Sequence, residues 1–123
     1  MDKDYKDLEL AMMFKALAAP VRIAMVQLLK NRTLCVGALA NRLGITPGAV
    51  SQHLRILRDA GLLEADKRGY FVHYRVKPQT LAKWKTAMGA FLEPGGAEET
   101  YQLIETGEGI CAKKSRPVRN RKN

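Results

Sequence analysis

VGALANRLGITPGAVSQHLRILRDAGL, residues 36–62, decides the fold. Val36, Leu39, Ala40 and Leu43 fall at helical spacing, and Gly44 supplies an unhindered backbone where that pattern stops. Thr46 then offers a side-chain oxygen as an N-cap. Pro47 stands at the first position of the next helix, where the missing N–H costs nothing. In that second helix Val50, Leu54, Leu57 and Gly61 recur at i, i+4, i+7 and i+11 and form one apolar face. Two short helices joined by a tight break make a helix-turn-helix.

The opposite face of the second helix carries Gly48, Ser51, Gln52 and Arg55, beginning from Thr46. These residues suit the floor of a DNA major groove. Gln52 can hold adenine with both ends of its amide, Arg55 can reach guanine or a phosphate, Ser51 can bond a base edge, and Gly48 lets the helix start lie close to a duplex. An ordinary solvated helix face has the same pattern, so the residues after Gly61 carry weight. Residues 62–76, LLEADKRGYFVHYRV, read as two strands around an Arg68-Gly69 turn. If Lys67 pairs with Tyr70, then Leu63, Ala65, Val72 and Tyr74 share one face, and Glu64, Asp66, Phe71, His73 and Arg75 share the other. The tip, with Lys67, Arg68 and Tyr70, is then a basic wing placed to meet phosphates or the minor groove beside the helix.

Composition agrees with a polyanionic partner. The chain has 123 residues, 46% of them hydrophobic, and a net charge of +9, which suits one small globular domain drawn to nucleic acid. No run of about 18 apolar residues is present to span a membrane, and no signal peptide opens the chain, so the expected place is the cytoplasm with no membrane partner. Two widely separated cysteines argue against a disulfide scaffold. There is no Gly-rich phosphate loop, no His and carboxylate pair at useful spacing and no nucleophile followed by a base, so the chain is not expected to be an enzyme.

Around this centre, residues 4–18 (DYKDLELAMMFKALA) read as a helix whose apolar residues spread beyond one stripe, as if it faced both its own core and a second subunit. Residues 20–30 form the next helix, with Pro20 first and Ile23, Val26 (with Ala24), Leu28 and Leu29 as anchors. Thr33 is a candidate N-cap for the following helix, which would place Cys35 in its first turn. Residues 78–92 show a clear stripe of Leu81, Trp84, Met88 and Phe91. Beyond Glu93, Pro94, Gly95 and Gly96 break the helix, residues 97–105 could form a short one, and residues 113–123 hold six basic residues and no acid. The chain therefore divides into a winged helix-turn-helix domain, 1–92, and a flexible basic tail, 93–123.

FKALAAPVRIAMVQLL, TLCVGALANRLGITPGAVSQHLRILRDAGLL and KRGYFVHYRV, in that order, resemble the ArsR/SmtB family of winged-helix repressors over about residues 8–92. The resemblance implies a mostly α fold of five helices plus a small β-hairpin, dimerising through its first and last helices. It also implies a homodimer that binds double-stranded operator DNA and releases it when a metal ion, metalloid or oxidant arrives. Ser51, Gln52 and His53 stand in the family's groove-contacting segment. The chain departs from the family at several points. Ala19 and Val21 replace the Asp and Thr that many relatives have around the proline of the second helix. Metal-responsive members carry a Cys-x-Cys pair, whereas here Gly37 follows Cys35 at the second position. The acid and histidine set of the last helix has no counterpart in PQTLAKWKTAMGAF. Neither family metal site is intact.

Two thiols remain as candidate sensors. Cys35 lies near Arg32 at a helix start, and Cys111 lies just before Lys113 and Lys114, both electropositive settings. Together or separately they could take a soft ion or metalloid such as arsenite, a persulfide or an oxidant. Equally, Cys35 could be a small core residue and Cys111 incidental. The expected function is a sequence-specific, homodimeric repressor released by a thiol-directed inducer at Cys35, with or without Cys111. A winged-helix DNA binder with no sensing and a non-specific architectural protein are the competing expectations. No metal cofactor is expected beyond a soft ion or metalloid at Cys35.

Overall fold

The computed structural model of the chain describes residues 2–96, and side chains between residues 5 and 95. The possible helix at 97–105, Cys111 and the basic run at 113–123 lie outside the described residues. In order, the elements are α1 (Asp2–Leu17), α2 (Pro20–Leu29), α3 (Val36–Leu43), α4 (Pro47–Asp59), β1 (Leu63–Arg68), β2 (Phe71–Val76) and α5 (Pro78–Leu92), followed by a 3-10 turn at Pro94–Gly96. This is the five-helix winged helix-turn-helix expected. By their contacts, residues 1–87 form one compact unit and a second begins at Met88.

The core forms where α4 meets its neighbours. Val50, Leu54 and Leu57 are buried, the first and last completely, and α4 packs on α1, α2, α3 and β1. Leu39 and Ala40 of α3, Leu62 and Leu63 at the hairpin base and Val76 at its end complete the same apolar interior. Gly44 closes α3 with φ of 68°, the left-handed region where a side chain would be strained.

In α2 the core residues are Met25 and Leu29, while Ile23, expected as an anchor, is 42% exposed. The helix PVRIAMVQLL is apolar on nearly every side, so periodicity alone could not choose its inner face. Its N-cap, Ala19, makes no side-chain capping bond, as the missing Asp foretold. The start of α3 also differs from expectation. Cys35, not Thr33, occupies the N-cap position, with extended backbone and no side-chain cap. Leu34 just before it is drawn into the sheet, donating its N–H to the Tyr74 carbonyl at 3.1 Å and accepting from the Tyr74 N–H at 2.9 Å.

The hairpin register is shifted by two residues from the one read from sequence. Lys67 pairs with Val72 and Arg68 with Phe71, so the loop is Gly69 and Tyr70, with Gly69 at φ of 64°. A shift of two leaves every side chain on its expected face, because strand faces alternate with period two. It does change partners: His73 lies opposite Asp66, and Glu64 lies opposite Arg75. His73, expected on the wet side, is half-buried, and its Nδ1 is shielded from solvent with no hydrogen-bond partner among the described residues.

The choice between the two α2 anchors is measurable by urea denaturation. Met25→Ala should lower stability by about 2–5 kcal/mol, the range for emptying a filled core site, whereas Ile23→Ala should cost less than about 1 kcal/mol.

Candidate nucleic-acid interface

One helix face and one loop make the site. Thr46 Oγ1 accepts the backbone N–H of Ala49 at 3.1 Å, which fixes the first turn of α4, and Pro47 follows at the first helical position. Because Val50, Leu54 and Leu57 are held inward, helical geometry turns Gly48, Ser51, Gln52 and Arg55 outward, and all four are exposed. Among the described residues a Cβ built on Gly48 would meet only Thr46 Oγ1, at 4.0 Å, so packing against them does not require glycine there. The missing side chain instead bares the start of the helix.

The hairpin presents Lys67, Arg68 and Tyr70 at its tip. All are exposed, Tyr70 at 99%, and Phe71 beside it is 62% exposed. The acids of the hairpin are each matched by a cation. Arg68 Nε donates to Asp66 Oδ2 at 3.0 Å, and Arg75 Nε donates to Glu64 Oε2 at 2.6 Å. These pairs are exposed and add little stability. They do offset the negative charge of Asp66 near the tip and of Glu64 near the base, and Arg68 keeps the rest of its guanidinium fork for another acceptor.

Between α4 and the hairpin runs a groove of 840 Å³ lined by Ser51, Arg55, Arg58, Glu64 and Tyr74, among others. Arg58 lies 5.8 Å from the centroid of the Tyr74 ring, within cation–π range, and so braces the helix against the wing. Neither Arg58 nor Tyr74 was singled out from sequence. The only hint was the alternation that put Tyr74 on the inner face of the hairpin.

His53, also expected to meet DNA, has a partner inside the protein. It is half-buried, and its Nδ1 lies 3.0 Å from an Nη of Arg22 in α2. Cys35, half-buried at the head of α3, is a free thiol. Among the described residues no three His, Cys, Asp or Glu side chains gather where a metal ion could be held, and no single helix is long and apolar enough to cross a membrane.

With this geometry in place, the comparisons with known proteins converge. Residues 19–65 match the family model described as bacterial regulatory protein, arsR family. The arsenic resistance transcriptional regulator ArsR1 of Pseudomonas putida is 36% identical over 100 residues, covering 77% of each chain. The HTH-type transcriptional repressor SmtB of Mycobacterium tuberculosis is 43% identical over 70 residues, covering 57% of this chain and 52% of the repressor, so the match spans about half of that protein's length. Among solved structures, an ArsR-like transcriptional regulator from Rhodococcus sp. RHA1 superposes with a TM-score of 0.64 at 29% identity, over 82% of this chain and 93% of that one.

The Thr46 cap can be checked apart from any ligand. Thr46→Ala should destabilise the fold by about 0.5–2 kcal/mol in chemical denaturation, and Thr46→Ser, which keeps the oxygen, should recover most of that loss.

Proposed function

The chain belongs to the arsR family of bacterial regulatory proteins, and on that premise we propose that it is a homodimeric transcriptional repressor that reads operator DNA with α4 and the wing tip. The observation that carries this is the division of α4 into a fully buried apolar stripe and an exposed face of Gly48, Ser51, Gln52 and Arg55. Thr46 at the head of the helix and Lys67, Arg68 and Tyr70 at the tip extend the contact to the sugar-phosphate backbone. His53 belongs to the same helix and supports the contact from the side. Residues 1–92 form the binding and pairing domain, and the basic tail from 93 adds non-specific attraction to phosphates. Such a repressor works in the cytoplasm, where its DNA is.

Pairing is supported by α1, where Tyr5, Leu8 and Met12 are 64%, 58% and 57% exposed. Apolar side chains left uncovered along one helix mark a surface for another protein, and a second copy pairs them symmetrically. Two copies bring two reading helices to one duplex, so the operator is a near-palindrome with half-sites about one helical turn, or a multiple of it, apart. Cys35 takes a thiol-directed inducer: an arsenite-type metalloid, a persulfide or an oxidant. Its half-buried place next to Leu34, whose backbone is hydrogen-bonded to the wing at Tyr74, gives a short path from thiol to wing through one peptide bond and a pair of hydrogen bonds. Cys111 is a second candidate thiol.

Fluorescence anisotropy with selected and scrambled duplexes over a salt series tests DNA reading. Gln52→Ala should reduce preference for the selected sequence by about 1–3 kcal/mol, while Arg68→Ala should weaken both duplexes alike and lower the salt slope by about one. A wild type that binds both duplexes equally overturns the specific repressor in favour of an architectural DNA binder. For sensing, arsenite, a persulfide and an oxidant are each added to the DNA complex. Wild type should release DNA with at least one of them and Cys35→Ser with none. Retention of DNA by wild type through all three would remove the sensing role.

A further inference from the structure

One guanidinium joins three helices. Arg22 lies in the first turn of α2, at the corner where α1 and α2 meet at 91°. Its Nε donates to the Ala16 carbonyl at 2.6 Å and an Nη donates to the Lys15 carbonyl at 3.4 Å, both in the last turn of α1. Carbonyls at a helix C-terminus lack partners within the helix and carry the negative end of its dipole, so a cation is well placed there. The other Nη lies 3.0 Å from Nδ1 of His53, in α4. Arginine has donors and no acceptor, so Nδ1 accepts and the proton of the neutral ring sits on Nε2.

We propose that Arg22 is a positioning residue for DNA recognition, which acts through His53 to set the rotation of α4 about its own axis. The proposal rests on the DNA-reading role of α4 given above. Burial of Val50, Leu54 and Leu57 chooses which side of α4 faces inward, but apolar contact is non-directional and tolerates small rotations. A hydrogen bond does not. Side-chain ends lie about 5–6 Å from a helix axis, so a rotation of roughly 10° displaces them by about 1 Å. That shift exceeds the half-ångström window within which a base-edge hydrogen bond keeps its length. His53 immediately follows Gln52, and Arg22 is itself held at two points of α1. The angle at which Ser51, Gln52 and Arg55 meet the groove is therefore referred to α1, the helix with the uncovered apolar residues.

The experiment compares affinity for a duplex that the wild type selects from a random pool with affinity for a scrambled duplex, each corrected for the active fraction by stoichiometric titration. Arg22→Met and His53→Ala should each cut the selected-to-scrambled ratio by about tenfold, the effect of losing a hydrogen bond to a charged group. The double variant should lose no more than either single one, because both remove the same bond. His53→Asn, whose amide oxygen can stand where Nδ1 stands, should keep the ratio within about twofold of wild type. A general loss of packing would not produce this rescue. Should Arg22→Met fail to fold, Arg22→Lys keeps a cation at the α1 carbonyls without the fork needed to span to His53, and should show the same loss of ratio. An intact ratio in the Arg22 variant, losses that multiply in the double variant, or a His53→Asn as poor as His53→Ala overturns the positioning role alone. A wild type that selects no sequence overturns the DNA reading, and this inference with it.

Discussion

Every part of this fold depends on keeping one side of α4 out of water. Val50, Leu54 and Leu57 are almost wholly buried, and each such side chain is worth about 1.5–3 kcal/mol relative to an exposed one. Met25 and Leu29 from α2, Leu39 from α3 and Leu62 and Leu63 from the hairpin base supply the surface that covers them. Once that stripe is inside, the polar side of the same helix has no place to go but outward. The presented face is a result of the buried one, and its residues are thereby free to be chosen for what they touch outside the protein.

What could be read from sequence was what depends on near neighbours. Gly44, Thr46 and Pro47 mark a stop, a cap and a start within four residues, and the structure places all three as read. The stripe of α4 was legible because polar and apolar residues alternate cleanly at helical spacing. In α2 that contrast is absent, and the inner residue is Met25 where Ile23 was expected. The hairpin loop was misplaced for a related reason: a single glycine fits either loop position, so local sequence does not fix the register. Period two protected the faces even so.

The remaining features depend on residues far apart in the chain. Leu34 meets Tyr74, Arg22 meets His53 and Arg58 meets Tyr74, each across a separation that no local pattern encodes. These three contacts tie α4 and the wing to each other and to the helices behind them. The exposed ion pairs of the hairpin, Arg68 with Asp66 and Arg75 with Glu64, belong to a different class. They hold little energy, but they decide how positive the wing is.

The two-residue loop at Gly69 and Tyr70 limits how such a protein can vary. Adding two residues to each strand beyond Lys67 and Val72 would carry the tip outward by roughly 6.6 Å, with its side chains still on their present faces, while the base at Leu63 and Val76 stayed seated. Adding one residue to each strand would instead turn the outer side chains over. The wing is thus a ruler graduated in pairs, whose reach can change without disturbing the helices behind it.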